Sequence, residues 1–163
     1  MKRPNNSKSG FSLIDVIMGM SILAIAIIGI QVAQNNYMRM SSQVEANLRA
    51  ISLGNSVMNL IRMHRFDENI TAPWDSTLGT NAGETSAAYY DDIDDYDGTS
   101  WDFSGDGYAG YEVQTQVFCV NMASSWVNEV GGFTSFKRII VSVNHAVLDD
   151  PVVFTSLMAG IEE

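Results

Sequence analysis

The chain has one cysteine, three prolines and two histidines in 163 residues. A single cysteine closes no intrachain disulfide, and two histidines with one cysteine are too few for a conventional zinc site. Basic side chains are also scarce: nine Lys and Arg stand against 19 Asp and Glu, a formal net charge of −10. Between Arg65 and Lys137 there is none at all. So acidic a chain suits nucleic-acid phosphates poorly, and Lys137–Arg138 is the one local basic candidate in its C-terminal part. No nucleophile motif, phosphate-binding glycine loop or metal-ligand histidine pattern is present. Nothing places the acidic pairs in a cleft, so the expectation is a protein that is not an enzyme and needs no cofactor. The apolar share of 46% excludes global disorder, and the length suits a single domain.

What is present is sorted along the chain. Residues 1–10 carry Lys2, Arg3 and Lys8 and no acid; residues 11–66 hold Asp15 and Glu45 against Arg39, Arg49, Arg62 and Arg65. Residues 67–163 hold all the other acids against Lys137 and Arg138 alone. This partition reads as a positive cytoplasmic flank, an apolar anchor and an acidic exported head. Phe11 to Ile30 is a 20-residue run with one charge, Asp15. As a helix it spans roughly 30 Å, the thickness of a hydrocarbon core. It is longer than the apolar core of a secretory signal and lacks a clear small-residue cleavage site after it. A carboxylate near the start of such a helix costs a few kcal/mol unless paired, which marks Asp15 as functional.

Asp15 lies five residues after Gly10, within Gly10-Phe11-Ser12-Leu13-Ile14-Asp15. With the basic leader before it and the apolar helix after it, this stretch resembles the cleavage and assembly motif of type IV prepilins. The resemblance implies that residues 1–10 are a leader removed by a prepilin peptidase between Gly10 and Phe11, which also methylates the new N-terminal Phe11. It further implies that Asp15 pairs with the Phe11 amine of an adjacent subunit and sets the subunits in register. The family usually has Glu at this position; Asp keeps the charge and is one methylene shorter.

From Gln31 to Phe66 there is no proline, and Met40, Val44, Leu48, Ile51, Met58 and Ile61 recur at spacings of three and four, with Asn55 in the gap. The spacing predicts a continuous helix through residue 66, with that stripe against the head and Gly19, Gly29 and Gly54 as soft points. The methionines read as packing residues, and His64 as a helix-terminus residue. Ala46–Arg65 also resembles the first-helix ends of minor pilins of the PilV type and of the mannose-sensitive haemagglutinin (MSHA) pilus. The run Asp91-Asp92-Ile93-Asp94-Asp95-Tyr96-Asp97-Gly98 is similar to a stretch of the latter.

Residues 67–110 show no sustained period and read as a long surface loop. Asp91, Asp92, Asp94, Asp95, Asp97, Asp102 and Asp106 cluster around its Gly turns, an arrangement of hard oxygens that suits calcium. The spacing fits an EF-hand loop poorly, so the reading is a solvated acidic loop with no metal assigned. Tyr89, Tyr90, Tyr96, Trp101 and Tyr108 are either a sugar-binding surface or anchors pinning the loop, the second being the simpler. Beyond the loop the period becomes two. Tyr111–Val120, Phe136–Asn144 and Val152–Met158 read as strands, with a shorter one in 99–103. Tyr111, Val113, Thr115, Val117 and Cys119 share one face, which makes Cys119 a buried apolar residue.

The expected fold is α+β: a pilin fold whose long N-terminal helix, membrane half 11–30 and amphipathic half 31–66, packs on an antiparallel sheet in the 67–163 head. The function the resemblance implies is that of a minor type IV pilin, assembled into a pilus or its initiating or tip complex. The alternatives are a pseudopilin of a type II secretion system and a tip adhesin. The implied partners are the prepilin peptidase, other pilins and the inner-membrane assembly platform. The implied location is a single pass of the inner membrane with a periplasmic head, then the pilus at the cell surface.

Overall fold

The computed structural model describes residues 10, 12–74, 77–132 and 134–161. The chain forms two units, Met1–Ser42 and Gln43–Glu163. One helix, α1, runs over Leu13–Arg62 and contributes to both.

In the first unit every described residue is exposed. This part of α1 carries the apolar run and gives the helix enough length and hydrophobicity to cross a membrane. Ser21 returns its hydroxyl to the Ile17 carbonyl at 2.9 Å, so this polar group is satisfied within the helix.

The second unit packs residues 43–62 of α1 on one face of a five-stranded antiparallel sheet. The strands are β1 (Ser100–Asp102), β2 (Tyr111–Asn121), β3 (Ser125–Glu129), β4 (Phe136–His145) and β5 (Val152–Ala159). The order is β1-β2-β4-β5, and β3 pairs with the far end of β2. β2 and β4 pair from Tyr111↔His145 to Cys119↔Lys137, and β4 and β5 from Phe136↔Ala159 to Val143↔Val152. Alternation does the sorting. Tyr111, Val113, Thr115, Val117 and Cys119 on β2 and Ile139, Val141 and Val143 on β4 are buried, while the residues between them are exposed or half-buried.

The helix differs from the sequence expectation in three ways. It ends at Arg62 and not at residue 66, because Arg65 leaves to pair with the loop: its carbonyl accepts from Ile93 N at 3.0 Å and its N–H reaches Asp91 O at 3.3 Å. Its buried stripe is Ala46, Ala50, Leu53, Gly54, Val57, Met58 and Ile61. Met40, Val44 and Leu48 are 65%, 58% and 63% exposed. Met58 and Ile61 lie in both stripes; Val44, Leu48 and Ile51 fall two residues before Ala46, Ala50 and Leu53, about 200° around a helix, so that part of the expected stripe lies on the opposite face. Small residues decide the matter: Ala46, Ala50 and Gly54 let the backbone lie close to the sheet, which the bulkier stripe would prevent. Third, Gly54 is a point of close approach and not a soft point. A Cβ there would stand 2.2 Å from Phe154 Cε2.

Gly54→Val is therefore expected to lower head stability by about 1–3 kcal/mol through overpacking, more than its gain in helix propensity. Denaturant unfolding of the chain in detergent reads the loss. Truncating the opposing ring as well (Gly54→Val with Phe154→Ala) should relieve the clash that the single variant introduces.

Candidate functional site

Two regions stand out, the N-terminal junction and the acidic loop. At the junction Gly10 is exposed, and among the described residues a Cβ on it would meet nothing within 4 Å. No described residue packs against this glycine. Phe11, the expected site of cleavage and methylation, lies outside the described residues, as do residues 1–9 of the expected leader. Asp15 sits in the first turn of α1, where Oδ2 accepts the Ser12 N–H at 3.2 Å and its own N–H reaches Ser12 O at 3.0 Å. This is the carboxylate half of a capping box, and it places a negative charge at the positive end of the helix. Within one chain, then, Asp15 serves its own helix start.

The acidic loop is not the solvated one expected. Asp92, Asp94 and Asp95 are buried. Asp92 Oδ1 accepts from the N–H groups of Asp94 (3.0 Å) and Asp95 (3.3 Å), and Asp95 Oδ2 accepts from those of Asp91 (3.0 Å) and Asp92 (3.3 Å). The two carboxylates thereby hold the 3₁₀ turn Asp94–Tyr96 from both sides. Asp97 Oδ1 accepts from Val117 N at 2.9 Å, tying the loop to β2. Asp102 Oδ1 accepts from Ser104 N at 2.8 Å, and this bond holds its carboxyl below the usual range. Backbone N–H groups consume the charge that the sequence offered to solvent or to a cation.

Lys137 anchors the arrangement. It lies on the buried face of β4 and is fully inaccessible. Its Nζ donates to Asp67 Oδ2 (2.8 Å), Asp94 Oδ1 (2.8 Å) and Phe66 O (3.0 Å), which uses all three ammonium protons. It also lies 4.8 Å from the Phe66 ring centroid. Burial pulls its pKa down, but the hydrogen bonds it donates to Asp67 and Asp94 outweigh burial and leave it above the ordinary lysine value. Lys137–Arg138 is accordingly no basic patch. One member is buried, and the other is half-buried with its guanidinium 5.1 Å from the Phe118 ring centroid. Sequence reasoning missed this pin, although the signal was present: Lys137 shares its alternation with Ile139, Val141 and Val143.

Of the loop aromatics, Tyr90, Tyr96, Trp101 and Tyr108 serve packing, while Tyr89 is exposed. Trp101 stacks between Tyr96 and Phe103 at 5.8 Å on each side, and Tyr90 meets Tyr96 edge-on at 5.0 Å. Tyr96 is buried, and its hydroxyl lies 3.3 Å from His64 Nδ1 at the helix end. Cys119 is buried too, and burial raises its thiol pKa.

Two carboxylate groupings share Asp91, namely Glu68–Asp91–Asp92 and Glu84–Asp91–Asp95, each with its oxygens within 4.8 Å of one another. A calcium ion bridges such spacings. Asp91 is already ion-paired with Arg65, and Asp92 and Asp95 are bound to backbone N–H groups. Asp97, Asp102 and Asp106 belong to neither grouping.

The crowding of carboxyls has a pH consequence. Burial, with the Asp94 carboxyl beside it, pushes the Asp92 pKa up to about 7 from 3.8. Over that interval the folded chain holds a proton that the unfolded chain releases. The Asp92 contribution is fully present below about pH 4 and is lost as pH rises through about 7. Asp92→Asn mimics the protonated carboxyl, so its stability relative to the parent chain should improve as pH rises across this range. Denaturant midpoints of the two chains at a series of pH values check the sign.

No family model matches the chain, and no curated protein and no solved structure is significantly similar to it.

Proposed function

We propose that the chain is a minor type IV pilin, a structural subunit processed at Gly10–Phe11 and assembled through its N-terminal helix. The observation that carries this reading is the junction itself. A glycine against which no described residue packs stands five residues before the only carboxylate of a 20-residue apolar run. Selection by an external protease accounts for the glycine, and pairing with a neighbour's N-terminus accounts for the acid. The helix that follows is bare over its apolar half and backed by an antiparallel sheet over the other, an architecture that suits a subunit anchored first in a membrane and then in a bundle of like helices.

The function is assembly and not catalysis. After cleavage, the Phe11 amine of one subunit and the Asp15 carboxylate of the next attract strongly in a low-dielectric helix bundle, and either alone is penalised there. Expression in a cell that makes type IV pili, followed by mass spectrometry of sheared filaments, tests the proposal. The chain should appear in the filament fraction beginning at Phe11. Retention of all of it in the membrane, uncleaved, would contradict assembly.

A further inference from the structure

Lys137 stands on β4 in alternation with Ile139, Val141 and Val143, and it is fully inaccessible. An apolar side chain facing apolar partners would hold this place in the fold as well, because a buried ion cluster gains little over well-packed hydrophobic residues. The cluster also carries more acid than charge pairing needs. Asp67 Oδ2 and Asp94 Oδ1 each lie 2.8 Å from the single Nζ, and both side chains are buried. A carboxyl oxygen at that distance puts its Cγ within about 4 Å of the nitrogen, near the separation of atoms poised to react.

We propose that the folded chain joins Lys137 to Asp67 by an amide bond between Nζ and Cγ, with Asp94 as the proton carrier. The step is a condensation. One ammonium proton passes to the Asp67 carboxylate along their hydrogen bond, and the freed nitrogen lone pair attacks Cγ. Asp94 takes a second proton from the nitrogen and delivers it to the departing oxygen, whose bond to Cγ breaks with its electron pair. That oxygen leaves with two protons as water, and the nitrogen keeps the third. The opposite charges of Lys137 and Asp67 cancel, and nothing is oxidised or reduced.

In dilute solution such a condensation runs backward, toward hydrolysis. Fixed reactants reverse that balance, since well-oriented groups reach effective concentrations of about 10⁵–10⁸ M. Burial also favours the neutral pair over the ionised one, and it raises the Asp94 pKa, which suits that carboxyl to take up a proton. Lys137 itself rests ionised, so the first proton transfer is uphill and the bond forms slowly, after folding. A cavity lined by Phe66, Asp67, Asn69 and Trp74 adjoins the reacting carboxyl and receives the water. The link ties the segment after α1 to β4, a covalent closure that a chain with one cysteine cannot obtain from a disulfide. The chemistry needs only the folded second unit and does not rest on the pilin reading.

The test incubates the full folded chain in detergent micelles, digests it with a Glu-specific protease and reads the fragments by mass spectrometry. Linkage joins residues 46–68 to residues 130–162 in one branched species, lighter by one water than the two fragments together. It also blocks tryptic cleavage after Lys137. Loss of water at Asp97–Gly98 or Asp106–Gly107 joins no fragments, so the signature is specific. The branched species should accumulate with time toward one per chain. Asp67→Ala and Lys137→Arg should abolish it. Asp94→Asn still accepts from Nζ but does not take up its proton, and should slow linkage about a hundredfold. Absence of the branched species after prolonged incubation of the folded parent chain overturns the proposal. A species joining 130–162 to 85–112 overturns the assignment of Asp67, and equal linkage in chain kept in denaturant overturns the claim that the fold directs the bond.

Discussion

Replacing Lys137 with methionine is expected to lower the stability of the head by about 3–5 kcal/mol, the cost of leaving buried carboxylates without their cation. Domains of this size are stable by about 5–15 kcal/mol, so the variant loses a large share of the total. Lys137 is the point where three parts of the chain meet: the segment after α1 through Phe66 and Asp67, the acidic loop through Asp94, and β4 itself. Methionine matches the length of the stem but supplies no proton to any of the three acceptors. The loss should shrink in acid, where Asp94, whose pKa burial already raises, takes up a proton in place of the missing ammonium. Adding Asp67→Asn and Asp94→Asn to Lys137→Met should recover part of the stability at neutral pH, since removing every charge of a buried cluster costs less than removing one. Chemical denaturation of all three chains at neutral and acid pH gives the comparison.

The second large effect is expected at Asp15, where two roles compete. In the single chain its carboxylate accepts the Ser12 N–H and caps α1. In the proposed filament it neutralises the amine of a neighbouring Phe11. Asp15→Asn separates the two, because an amide oxygen still accepts from Ser12 N–H but carries no charge. If pairing is the role, Asn should fail nearly as badly as Ala, with incorporation into filaments falling roughly ten- to a hundredfold, as expected for loss of a charge-assisted hydrogen bond. If capping were the whole role, Asn would assemble normally and only Ala would be impaired. Cleavage at Gly10–Phe11 should proceed in both variants, so the defect would lie after processing.

How legible these features were follows from the range of the interactions involved. The strands were readable because a period of two survives wherever one sheet face is buried, as in Tyr111–Cys119 and Ile139–Val143. Strand β3 was not readable: Ser125–Glu129 has no buried alternation and exists because it pairs with Val120 and Asn121. The helix was legible as one long element, but it ends at Arg62, and of the expected stripe only Met58 and Ile61 are buried. Apolar residues occur all round it, and the buried side is chosen by Ala46, Ala50 and Gly54, residues whose value is their smallness against a sheet the sequence does not display. The loop misled through composition. A run of aspartates reads as solvated, and only the fold reveals that Asp92 and Asp95 face backbone N–H groups and that Asp94 faces Lys137. At the junction the situation is reversed. Gly10, Phe11 and Asp15 are legible as a motif from sequence, whereas the described residues give Gly10 no side-chain contact, as expected if its partners are other molecules.

The central claim is that Gly10–Phe11 is a processing site, and intact-mass analysis tests it most directly. The chain is produced with and without a prepilin peptidase, and the two masses are compared. The account predicts that the peptidase yields a product lighter by residues 1–10, beginning at Phe11 and carrying one added methyl group, and that Gly10→Leu abolishes the change. A chain of unaltered mass in the presence of an active peptidase would contradict the pilin reading.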